Sequence, residues 1–233
     1  MNIIKVENIN VYYGKSHILK NVSLDIKHGE IVSILGRNGA GKTTLLKSIM
    51  GLVKPKEGNI FFKNENIIGL PAFKIARKGI GYVPQGRQLF PKMTVLENLK
   101  TGIRDKTKIN FDEIFDIFPF LKERIDQIAG TLSGGQQQAL AIARALIGKP
   151  EVLMLDEPTT GLMPIFVNKL KDIIKMLNKN GITILLVEEK VPFAITLANY
   201  IYFMVNGKIE HLTKNEEVQK EKNVFINYLG VKI

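Results

Sequence analysis

Near the start of the chain, apolar residues recur at every second position. Ile4 to Tyr12 and Val22 to Ile26 keep this two-residue period, which predicts strands with one buried face. The pattern then becomes continuous. Ile31-Val32-Ser33-Ile34-Leu35 reads as a strand covered on both sides. Leu45, Leu46, Ile49 and Met50 follow at helical spacing. Lys54-Pro55-Lys56-Glu57-Gly58 is a turn, Asn59 to Phe62 a short strand, and Gly81-Tyr82-Val83-Pro84 another that ends in a loop.

From residue 85 to residue 150 the pattern is helical. Thr94-Val95-Leu96-Glu97 has the form of a capping box. Phe111, Ile114, Phe115 and Phe118 share one helical face that stops at Pro119, and a further helix is predicted over Gln136 to Ile147. Continuous apolar runs then return at Val152 to Leu155 and Ile182 to Val187, as parallel strands require. Between them, Leu170, Ile173, Ile174 and Leu177 form the inner stripe of a helix over Asn168 to Lys179. Ile201 to Val205 is a last long strand, turned by Asn206-Gly207 into Lys208-Ile209-Glu210, and a charged helix is expected to close the chain. The expected fold class is α/β in a single domain, 1–233. A core with a β-rich lobe comes from 1–84 and 151–233, and 85–150 forms an inserted helical subdomain.

Composition adds limits. An apolar fraction of 45% and a charged fraction of 24% in 233 residues suit a globular domain with a substantial core. No apolar run approaches the roughly 18 residues of a membrane span. The N-terminal segment mixes Lys5, Glu7 and asparagines into its apolar positions, unlike a signal peptide. There is no cysteine, which excludes disulfides and thiolate metal sites and fits the cytosol. The net charge of +11 is compatible with nucleic acid or an anionic membrane surface. The lysines are nonetheless spread along the chain. Lys169, Lys171, Lys175 and Lys179 fall mostly outside an apolar stripe, as solvated residues do, so no nucleic-acid partner is expected.

Chemistry concentrates in three places. Gly36-Arg37-Asn38-Gly39-Ala40-Gly41-Lys42-Thr43 lies between a predicted strand and a predicted helix. This is the Gly-x4-Gly-Lys-Ser/Thr spacing of a phosphate-binding loop. Its glycines let a phosphate approach the backbone, Lys42 supplies a cation for β- and γ-phosphates, and Thr43 a hydroxyl for Mg²⁺. Leu155-Asp156-Glu157 ends an apolar strand with two carboxylates: Asp156 can help hold Mg²⁺ and Glu157 can polarise an attacking water. Leu132-Ser133-Gly134-Gly135-Gln136 opens a helix with a hydroxyl and unshielded N–H groups. That suits either a second anion site, serving a nucleotide held by another subunit, or a plain glycine-rich cap.

Together these motifs resemble the ATP-binding cassette family, over essentially the whole chain. The resemblance implies a P-loop NTPase fold, with ATP and Mg²⁺ bound. The nucleotide would be held by Gly36, Arg37, Asn38, Gly39, Ala40, Gly41, Lys42, Thr43 and Thr44, with Tyr13 stacked on adenine. Gln85 matches the glutamine loop, which reaches the metal and the reacting phosphate, and Glu157 the catalytic glutamate. Thr43, Gln85 and Asp156 would be the metal-side residues. Leu132, Ser133, Gly134, Gly135 and Gln136 match the signature that completes the site of a second cassette. Tyr12 to Leu19, Gly81 to Arg87 and Asp156 to Pro164 are similar to the ATPase subunits of branched-chain amino acid importers and of urea and short-amide importers.

That resemblance implies hydrolysis coupled to import at the cytoplasmic face of a membrane. The partners would be a second ATPase subunit, identical or not, permease chains and an external solute-binding protein. A nucleic-acid-associated cassette is the competing class; it would carry a coiled-coil insertion or a paired cassette, and neither heptads nor a repeat occurs here. Two positions depart from the general pattern. Met163 stands where most cassettes have an aspartate. Glu189 stands where most have a histidine that contacts the γ-phosphate, so a slow site of its own is expected, with Glu189 either turned away, toward Lys190 or another cation, or kept protonated.

Overall fold

The computed structural model describes residues 1–104, 111–218 and 228–229. Two sheets carry the architecture. The first is antiparallel, built from β1 (Asn2–Tyr13), β2 (Ser16–Lys27), β4 (Glu57–Phe62) and β5 (Glu65–Asn66) in the order β2-β1-β4-β5. The second has β6 (Ile80–Val83), β7 (Val152–Asp156), β8 (Thr183–Glu188), β3 (Ile31–Leu35), β9 (Tyr200–Val205) and β10 (Lys208–Lys214) side by side in that order. Its first five strands run parallel, and β10 returns antiparallel through the Asn206-Gly207 turn.

The continuous apolar runs now have a physical reason, because the central sheet faces two cores. On β3, Val32 and Ile34 join one core while Ile31 and Leu35 join the other. On β7 and β8, Met154, Leu185 and Val187 face the first, and Leu153, Leu155, Ile184 and Leu186 the second. The first core also contains Ile4, Val11 and Leu19 of the antiparallel sheet and Leu45, Leu46 and Ile49 of α1 (Lys42–Ile49). Helix α1 is thus packed between the two sheets. The second core is closed by α3 (Val95–Lys100), α4 (Asp112–Ile117), α5 (Pro119–Glu123), α6 (Gly134–Ile147), α7 (Pro164–Lys179) and α8 (Val191–Ile195).

Several expectations change in detail. Helix α2 (Ala72–Lys78) was not legible, because Ile75 is its single buried position and Phe73 is exposed, so it has no stripe. Helix α8 was not legible either, being too short to show a period. Pro119 does not simply end the helix of Phe111 and Ile114. It opens α5 as its first residue, where its missing N–H costs nothing and its fixed φ suits a helix start. Strand β10 runs on to Lys214, and the expected closing helix lies largely outside the described residues. Among the described residues, no helix is long and apolar enough to cross a membrane.

The capping box at Thr94 forms as expected: Glu97 N donates to Thr94 Oγ1 at 3.2 Å and Thr94 N to Glu97 Oε2 at 2.7 Å. Asn98, fully buried on the same helix, satisfies the loop before it. Its Oδ1 accepts from Phe90 N at 2.9 Å, and its Nδ2 donates to the carbonyls of Phe90 and Thr94, each at 3.0 Å. Asn98→Leu keeps the number of side-chain heavy atoms but strands these backbone groups. It is expected to cost about 3 kcal/mol in urea unfolding, and a loss below about 1 kcal/mol would show that water replaces the amide.

Candidate nucleotide site

In an open parallel sheet the loops after the strands meet at one edge. Here β3 delivers Gly36–Gly41, β6 delivers Gln85, β7 delivers Asp156 and Glu157, and β8 delivers Glu188 and Glu189. A cavity of about 280 Å³ opens there, lined by Tyr13, Ile18, residues 38–44, Gln85 and Glu157. Glycine is required at two points of the loop. A Cβ on Gly36 would stand 2.5 Å from Met204 O, and Gly41, at φ +107, would drive one to 2.8 Å from Leu19 Cδ2. The hairpin after β9 backs the loop, with Gly207 N donating to Ala40 O at 2.9 Å. The sequence marked Asn206-Gly207 as a turn only; its support of the loop depends on packing.

Lys42 is buried at the start of α1. Its Nζ donates to Gly36 O at 2.8 Å and Arg37 O at 3.2 Å, and pairs with Glu157 Oε1 at 3.3 Å. Glu157 also accepts from Gln85 Nε2 at 2.7 Å through Oε2. Its backbone sits at φ +47, a region that a non-glycine residue enters only under constraint. Thr43 Oγ1 donates to Asp156 Oδ1 at 3.0 Å and Tyr82 OH to Asp156 Oδ2 at 3.0 Å. Burial, reinforced by Asp156, keeps the Tyr82 phenol protonated far above its usual range. Burial also raises the Asp156 carboxyl, and the Thr43 and Tyr82 hydroxyls offset part of that. Tyr82 was legible only as a strand residue.

The remaining expected residues are placed as follows. Tyr13 is half exposed at the rim and Thr44 is buried in α1. Arg37 does not line the cavity: its Nε donates to Leu229 O at 3.0 Å. The lining includes none of Leu132, Ser133, Gly134, Gly135 and Gln136. Those five open α6 with a reciprocal capping box. Ser133 Oγ accepts from Gln136 N at 3.4 Å, and Ser133 N donates to Gln136 Oε1 at 3.0 Å. Glu189 is exposed but does not turn to Lys190. Its Oε2 accepts from Asn38 Nδ2 of the phosphate loop at 3.1 Å, while Lys190 Nζ donates to Thr159 O at 3.3 Å. The charge argument for Lys190 did not anticipate an amide donor on the loop itself.

Glu188, which the sequence placed just past the apolar run that ends at Val187, is buried and takes three backbone N–H groups. Oε1 accepts from Thr159 N at 3.1 Å, and Oε2 from Glu189 N at 3.2 Å and Lys190 N at 3.4 Å. Burial pushes its carboxyl above the ordinary glutamate range, and these bonds pull it only part of the way back. The native state therefore keeps this proton to higher pH than the unfolded chain does. The associated stability is complete below the unfolded pKa and is lost as pH rises through the folded one. The unfolding free energy of the parent protein, taken relative to Glu188→Gln, is expected to fall as pH rises above about 4, the unfolded glutamate range. Urea titrations at rising pH check this, and parallel curves would refute it.

The family model described as "ABC transporter" matches residues 19–160. The branched-chain amino acid transport ATP-binding protein BraG of Pseudomonas aeruginosa is 44% identical over 89% of this chain and 91% of its own length. The probable branched-chain amino acid transport ATP-binding protein LivF of Archaeoglobus fulgidus is 40% identical over 94% and 96%. A dimeric ATP-binding cassette solved in a post-hydrolysis state with ADP and phosphate superposes with a TM-score of 0.80 at 31% identity, covering 91% of this chain and 98% of that one. Matched in sequence and in fold over nearly all of its length, the chain belongs to the ABC transporter family as one of its ATP-hydrolysing cassettes.

Proposed function

We propose that this ATPase drives import of branched-chain or other hydrophobic amino acids as a peripheral subunit at the cytoplasmic face of a membrane. The observation that carries its chemistry is the convergence of Lys42, Thr43, Gln85 and Glu157 on one cavity. The solute class rests on the names of the two curated relatives, BraG and LivF. The membrane path and solute capture would belong to separate permease chains and an external binding protein.

ATP would lie with its base on Tyr13 and its phosphates along residues 38–44. The Lys42 ammonium is held by two carbonyls and Glu157, so it is ready to turn onto the β- and γ-phosphates. That releases Glu157, which with Gln85 can orient a water. The water oxygen bonds to the γ-phosphorus as the bond to the β–γ bridging oxygen breaks, its proton passing toward Glu157, to leave ADP and phosphate. Thr43 Oγ1 and Asp156 Oδ1 form a hard-oxygen donor pair, and with Gln85 they would hold Mg²⁺, whose chemistry is to neutralise phosphate charge. One carboxylate with one hydroxyl suits a cation shared with phosphate oxygens better than an all-protein cage.

The signature residues lie off this cavity, which supports a head-to-tail pair in which each chain's Leu132 to Gln136 meets the nucleotide of the other. Ser133 would then exchange part of its capping role for a phosphate contact. Glu157→Gln is expected to keep ATP binding and lower turnover by at least about a hundredfold. ATP should then trap a dimer visible by size-exclusion chromatography. A variant that still hydrolyses at the parent rate would remove Glu157 from the mechanism.

A second reading, that this cassette is the slower partner of a non-identical pair, has its own observation in the Glu189–Asn38 contact. An ionised glutamate cannot donate to a γ-phosphate as histidine does. Glu189→His is expected to raise turnover of the isolated chain by about tenfold, and Glu189→Ala to change it by less than about twofold. A tenfold loss in Glu189→Ala, with the fold intact, would make Glu189 itself catalytic.

A further inference from the structure

The loop that carries Gln85 is built under constraint. Gly86, Arg87 and Gln88 all lie at positive φ, +74, +67 and +44, although two of them carry side chains that disfavour it. Local bonds hold part of the turn: Arg87 N donates to Pro84 O at 3.2 Å and Gln88 N to Gly86 O at 2.7 Å. The rest of the fastening comes from α6. Arg87 Nη1 donates to Gln137 Oε1 at 3.1 Å, and Arg144 Nη2 donates to Arg87 O at 3.1 Å. Gln137 in turn donates through Nε2 to Leu132 O at 3.0 Å, the carbonyl at the head of the signature segment. The guanidinium also lies against two glycines. A Cβ on Gly134 would stand 3.1 Å from Arg87 Nη2, and one on Gly161 would stand 3.7 Å from it.

Arg87 therefore ties three things together: the loop that carries Gln85, the segment that opens α6, and the turn after Glu157. We propose that Arg87 is a positioning residue that makes the Gln85 loop and the signature segment move as one body. Occupancy of the chain's own nucleotide site, sensed where Gln85 meets Glu157, then alters how the signature presents itself to the nucleotide of a second cassette. The inference rests on the head-to-tail reading and adds to it the link that carries information between the two sites. Arg87 itself touches no nucleotide in this scheme. It acts through Gln137 and through the backbone it holds at positive φ.

The test uses the full chain. ATP affinity is measured by equilibrium titration at low protein concentration. Turnover is measured against ATP at a protein concentration where rate per chain has saturated. The parent protein comes first: hyperbolic turnover at every protein concentration overturns a head-to-tail pair of identical chains and the Arg87 proposal with it. With a cooperative parent, Arg87→Ala is expected to keep its affinity within about twofold, lose about tenfold in kcat, and bring the Hill coefficient toward one. Gln137→Ala should reproduce this, and the double variant should add nothing further. Gln137→Ala also carries the test should Arg87→Ala fail to fold. Unchanged kcat and cooperativity in both variants, or an affinity that falls in step with kcat, overturns the role of Arg87 while leaving the two-cassette reading in place.

Discussion

A buried ammonium must have partners, and the need to supply them to Lys42 organises this structure. Its place at the first turn of α1 puts it beside the positive end of a helix, an unfavourable neighbour for a cation. Two loop carbonyls and the Glu157 carboxylate compensate, within 2.8 to 3.3 Å. The same charge balance stabilises the free protein and holds the ammonium at the wall of the cavity. It also explains why Glu157 tolerates positive φ: the residue is fixed by Lys42, by Gln85 and by its own N–H on Val187 O at 2.9 Å.

The second organising fact is that each parallel strand serves two cores. Alternate side chains of β3, β7 and β8 go to opposite faces, so a one-residue slip would misplace every one of them. Register is therefore tightly specified in the middle of the sheet. That is where angstrom placement is needed, since Asp156 and Glu188 end β7 and β8, and Thr43 opens the helix that follows the loop after β3. Glu188 then joins the turn after β7 to the turn after β8 through backbone bonds. Glu157 and Glu189 thus share a support, although one faces Lys42 and the other Asn38.

Much of this was legible from residues alone. The Gly36–Thr43 run, the acid pair after Val152–Leu155 and the Leu132–Gln136 segment each carry their chemistry in a short window. The strand and helix periods around them place them on elements that the fold retains. Short windows suffice because a phosphate loop is a local object: a strand, a turn of fixed φ, and the first turn of a helix. The capping box at Thr94 and the Asn206-Gly207 turn were readable for the same reason.

What the tertiary structure decided is everything that depends on distant segments meeting. Arg37 lies within the phosphate-loop motif, yet its guanidinium goes to Leu229, far along the chain. Glu189 was expected to seek a cation and found the amide of Asn38 instead. Tyr82 and Glu188 carried no motif, because Asp156 meets Tyr82 from the neighbouring strand and Thr159 meets Glu188 from the turn after β7, contacts that no sequence window contains. Helix α2 was hidden for the opposite reason, a single buried residue leaving no period to read. Sequence by itself determined the chemistry available and the elements that hold it. Only the packing of strand ends, which brings side chains more than a hundred residues apart within hydrogen-bonding distance, decided which group faces which.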